Sequence, residues 1–127
     1  MKKEKYHIEF MMGSASQSSL WTMIYDIEGL SEWFADEVTL YDRIYTFTWN
    51  KEQISAEIID IKPQYKIRLR WFDEEDENIY FEFQLHKLEL TGDMTLEITD
   101  FAEPDEKSDA ITLWESQVDE LKRHLGV

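Results

Sequence analysis

Between residues 6 and 12 the apolar side chains take the even positions, Tyr6, Ile8, Phe10 and Met12, and His7 and Glu9 take odd ones. A period of two predicts a half-buried strand, because successive side chains point to opposite faces. The polar run "GSASQSS" then supplies a turn and several helix-capping side chains. Leu20, Trp21, Ile24 and Ile27 recur at helical spacing and predict a helix from about Ser16 to Asp26. Gly29 is expected to break it. "LSEWFA" restarts a short helix in which Leu30, Trp33 and Phe34 share one face.

The middle of the chain has no helical period. "EVTLYD", "IYTFTW" and "EQISAEIIDI" are β-branched and aromatic and are bounded by polar turns. In "YKIRLRWFD", Tyr65, Ile67, Leu69 and Trp71 face one way and Lys66, Arg68 and Arg70 the other. "NIYFEFQLHKLEL" sets Ile79, Phe81, Phe83 and Leu85 against Tyr80, Glu82, Gln84 and His86, and "DMTLEITDF" adds Met94, Leu96 and Ile98. One apolar and one charged face per strand predicts an antiparallel sheet wetted on one side. A simple hairpin at "DEEDEN" places Arg68 and Arg70 opposite Gln84 and Glu82.

After "FAEPDEKS" the period becomes helical. Ala110, Leu113, Trp114, Gln117, Val118, Leu121 and Leu125 form one stripe, with Asp105 or Ser108 as the expected cap and Gly126 as the stop. The only long amphipathic element must cover the sheet's dry face. The reading is one α+β domain over residues 1–127, in the order β-α-α-β-β-β-β-β-β-α, its curved antiparallel sheet wrapped around the C-terminal helix.

Composition narrows the partners. A chain of 127 residues is long enough to bury roughly 65% of its unfolded surface. The 28 acidic against 13 basic residues give a formal charge of −15. That balance argues against nucleic acid and against an anionic membrane surface, both of which reward clustered Lys and Arg. Without cysteine there is no disulfide, thiolate nucleophile or cysteine-ligated metal. The alternating N-terminus reads as a strand, not a signal segment, so the expected location is cytoplasmic.

Three stretches carry a family resemblance: "SLWTMIYDIEGLSEWFAD", "TDFA" at the end of the last strand, and "LWESQVDELKRHLG". With the element order, they resemble the START-like, helix-grip or birch-pollen-allergen-like superfamily. The nearest branch is the bacterial proteins related to activators of the heat-shock-chaperone ATPase. Where many of those carry a glycine-rich turn and a "GGxF" strand, this chain reads "YDRIYTFTW". The resemblance implies a helix-grip fold with a cavity for apolar or amphipathic molecules between sheet and terminal helix. START-like relatives also include cyclases and aromatases.

The residues show little catalytic chemistry. No Gly-x-Ser-x-Gly occurs, and the three histidines, His7, His86 and His124, lie on different elements without ligand spacing. The acidic run from Asp73 to Glu77 lacks the central glycine of an EF-hand and reads as a solvated hairpin tip. No metal or cofactor is expected. Asp60 and Asp100 continue apolar strand faces, but both fall at strand ends and read as turn or cap residues. Gln117, on the buried helix stripe, is either a backbone-satisfied core amide or a polar anchor. The candidate cavity lining is Trp33, Phe34, Trp49, Trp71, Phe81, Phe83, Trp114 and Gln117. The function expected is a non-enzymatic module for a small apolar or amphipathic ligand. The alternatives are a protein-interaction or chaperone-cofactor-like module without ligand, or a cyclase-like enzyme.

Overall fold

The computed structural model describes residues 2–127 and has the element order read from the sequence. β1 (Glu4–Met11) leads into α1 (Gln17–Tyr25) and α2 (Ile27–Trp33). Six strands follow: β2 (Glu37–Tyr41), β3 (Ile44–Trp49), β4 (Glu52–Lys62), β5 (Lys66–Trp71), β6 (Phe81–Lys87) and β7 (Met94–Ala102). The helix α3 (Lys107–Leu125) closes the chain. The strands form one curved sheet in the order β1-β7-β6-β5-β4-β3-β2, with every neighbouring pair antiparallel.

Period-two patterning decides which face is dry. Tyr45 and Phe47 of β3, Ile67 and Leu69 of β5, and Leu96 and Ile98 of β7 are fully buried. α3 lays Trp114, Val118 and Leu121 over that face, and the helix ends where Gly126 turns left-handed at φ 73°. The other face carries the charged residues. There the Arg68 guanidinium donates to Glu82 Oε1 at 2.8 Å and lies 4.0 Å from the centre of the Tyr80 ring.

The structure corrects five local expectations. The break between the first helices falls at Asp26, whose backbone is extended (ψ 145°), and Gly29 lies inside α2. Gly29 instead lets two helices touch: a Cβ there would sit 2.2 Å from the Thr22 carbonyl oxygen. The β5–β6 pairing is shifted by two residues, so Arg68 faces Glu82 and Lys66 faces Gln84. The connecting loop takes Ile79 and Tyr80 out of the strand, and Arg70 lies opposite Glu57 of β4 in the register. A bulge between Ile58 and Asp60 reverses facing in β4. Asp60 therefore leaves the apolar face and bonds Lys66 at 2.8 Å. The α3 cap position is Glu106, without a side-chain cap, where Asp105 or Ser108 was expected. Leu113 is 60% exposed and lies off the buried stripe, at the helix flank.

Candidate functional site

Phe34 is the hinge of the site. It caps α2, with its backbone N–H bonded to the Leu30 carbonyl, and its side chain enters the core. Its ring lies 4.9 Å from Phe47, 5.9 Å from Phe83 and 5.8 Å from Trp114, measured between centroids. Aromatic pairs at such separations add to their burial energy. Its carbonyl accepts two bonds, from Trp49 Nε1 at 2.8 Å and Gln117 Nε2 at 3.0 Å. One residue thereby ties α2, β3 and α3 together. Trp33 beside it is buried, and its indole N–H donates to the Met23 carbonyl at 2.7 Å.

These rings divide the space between sheet and helix. Phe81 and Phe83 are fully buried and fill the interior below Phe34. Toward the ends of β3 and β5 the filling stops, and a groove of about 810 Å3 opens beside α3. Trp33, Phe34, Trp49, Trp71, Trp114 and Gln117 line it. Phe81 and Phe83, expected in the lining, are instead the floor's support: Phe81 stacks under Trp71 at 4.7 Å. Leu113 overhangs the opening, and Ala35 and Ala110 leave room in its walls.

Asp100, expected as a turn or cap residue at a strand end, is part of the site. It lies on the inward face of β7 and lines the groove. Its Oδ2 accepts from Trp114 Nε1 at 3.0 Å and from the Tyr6 hydroxyl at 3.3 Å, and its Oδ1 from the Phe101 N–H at 2.8 Å. Burial pushes the Asp100 carboxyl up from its ordinary value, and those donors pull it part of the way back. Burial, and then the charge of Asp100, also push the Tyr6 hydroxyl up. The signal for Asp100 was present: it extends the Met94, Leu96, Ile98 alternation by one step. Three donors fix this carboxylate as an acceptor, an arrangement suited to a stationary charge more than to a mobile base.

The remaining polar lining is acidic. Asp36 accepts the Asn50 N–H at 2.9 Å, and Glu32 and Glu120 stand near His124 at the mouth, 3.5 Å each. Glu120 is also paired with Arg123 at 2.7 Å. A second hollow, about 460 Å3, lies where Lys3 bonds Glu74 at 2.8 Å. That bond holds the Glu74 carboxyl below its ordinary value. The acidic hairpin tip is therefore pinned to the start of the chain. Carboxylate oxygens of Glu103, Asp105 and Glu106 lie within 4.8 Å of one another at the β7–α3 turn, largely exposed.

The model of the START-like superfamily domain matches residues 1–127 of this chain. The chain belongs to the START-like superfamily. Among solved structures similar to this chain, a Bacteroides fragilis protein determined in solution is 47% identical over 98% of this chain and 92% of its own, with a TM-score of 0.70. The Aha1 dimer of Colwellia psychrerythraea is 17% identical over 98% and 96% of the two chains, with a TM-score of 0.76. A Mesorhizobium loti protein is 15% identical over 94% and 95%, at 0.74. The last two likenesses are of fold, and the fold is the helix grip. No curated protein matches the chain. Among the described residues no helix of this START-like domain is long and apolar enough to cross a membrane.

Proposed function

We propose that this START-like domain is a non-enzymatic binding module that holds a small apolar or amphipathic molecule in the groove beside α3. One observation carries the reading. Four of the five tryptophans, Trp33, Trp49, Trp71 and Trp114, converge on a single opening of about 810 Å3, while the interior next to it is filled by rings. That volume is within the range of small-molecule sites, which are apolar clefts with a few fixed polar groups. Gln117 is held by the Phe34 carbonyl, so its amide acts first as a clamp on the groove wall.

The indoles make the site its own reporter. Titration with 1-decanol should change tryptophan emission saturably in the wild-type protein. Ala110→Trp, which fills the groove from α3, should weaken that response about tenfold, because a packed site has no room for the chain. A linear, unsaturable response, or one that Ala110→Trp leaves unaltered, would overturn the reading.

A further inference from the structure

We propose that the groove selects organic cations: an ammonium head seats against Asp100 while its apolar tail lies along the indole wall. This rests on the groove being a binding site and specifies what it takes. The lining contains four carboxylates, Glu32, Asp36, Asp100 and Glu120, and no Lys, Arg or His. Among them Asp100 differs in kind. Glu120 has Arg123 as a counter-ion, and Asp36 is exposed at the rim. Asp100 has only neutral donors, and among the described residues no cation lies within ion-pair distance of it.

Neither neighbouring cation forms an ion pair with Asp100. Lys3 acts on Asp100 at longer range, but its ammonium bonds Glu74 at 2.8 Å. The Lys107 ammonium lies 5.8 Å from the centre of the Tyr6 ring. A carboxylate in an apolar wall gains more from an arriving cation than an exposed one does, because little water screens the pair. The walls favour the same ligand, since indole rings attract cations through their quadrupole. An anionic amphiphile would meet four like charges, and the −15 chain would repel it on approach. The chemical class is thus an amine with a hydrocarbon or aryl tail, protonated at neutral pH.

Three probes with one tail separate the contributions: decylammonium, 1-decanol and decanoate, each below its self-association concentration and followed by tryptophan emission. Decylammonium should bind about tenfold more tightly than decanol, the difference expected for one charge-assisted contact, with decanoate weakest. Asp100→Asn should bring decylammonium to the level of decanol. Glu9→Gln, which removes one charge from the outer face of β1, should leave the preference intact. In the wild-type protein the Trp114 indole N–H resonance, bonded to Asp100, should move further with decylammonium than with decanol. That readout stands even if Asp100→Asn does not fold. A preference that survives Asp100→Asn would overturn Asp100 as the counter-ion, as would a Trp114 resonance indifferent to the head group. Equal binding of all three probes would overturn the selectivity and leave the apolar groove standing. Binding of none would overturn the groove itself, and the selectivity with it.

Discussion

Gly29 stands where α2 crosses α1, and any side chain there collides with backbone. A Cβ would come 2.2 Å from the Thr22 oxygen and 2.7 Å from Met23 Cα, neither of which is the end of a flexible group. Alanine favours helices, yet Gly29→Ala should destabilise the domain by ~1–3 kcal/mol through overpacking. Urea denaturation measures it, and an unchanged or raised midpoint would contradict the close approach. Asp100 makes a prediction of opposite sign to an ordinary salt-bridged acid. Its folded pKa is raised, so the native state binds its proton more readily than the unfolded chain does. The stability linked to this group is full below the unfolded pKa and is lost as pH rises through the folded one. Asp60 and Glu74, whose values are lowered by Lys66 and Lys3, behave the other way and lose their contribution in acid. Asp100→Asn should therefore gain on the wild type as pH rises from the acid side to neutral. Melting curves at a series of pH values test it; a difference independent of pH would show that the carboxyl is not desolvated.

Whole elements were the most legible part of the sequence, because period two and period 3.6 are local signals. The strands, the paired short helices and the stop at Gly126 follow from them. What local patterning missed was set by partners. The bulge at Ile58–Asp60 exists only against β5, and the two-residue shift of β6 depends on a loop that closes around Glu74. Helix period alone put Leu113 beside Trp114, but the groove leaves its side of the helix uncovered. The contrast is measurable on α3. Leu121→Ala, at a fully buried position, should cost ~2–5 kcal/mol. Leu113→Ala, at a side chain 60% exposed, should cost no more than ~0.5 kcal/mol. Equal losses would mean that α3 is rotated about its axis from the position described.

The site is a property of the whole molecule. Its walls come from α2, β3, β5, β7 and α3, and the Gln117–Phe34 bond alone joins residues 83 positions apart. The sequence contained the aromatic inventory, but not which rings fill the interior and which face the opening. Phe81 and Phe83 became filling because Phe34 packs over both rings and Trp71 stacks on Phe81. Trp49 and Trp71, the last residues of β3 and β5, border the opening. Asp100 became part of the site because β1 and α3 bring Tyr6 and Trp114 to its carboxylate.

That division of rings provides the most direct test of the groove as a binding site. The five indole N–H resonances can be followed individually while 1-decanol is added to the isotope-labelled protein. Trp33, Trp49, Trp71 and Trp114 line the opening, whereas Trp21 is buried against Tyr25 on α1, with ring centroids 5.4 Å apart. A ligand held in the groove should shift the four saturably and leave Trp21 still. Shifts of all five in parallel, or of none, would contradict it.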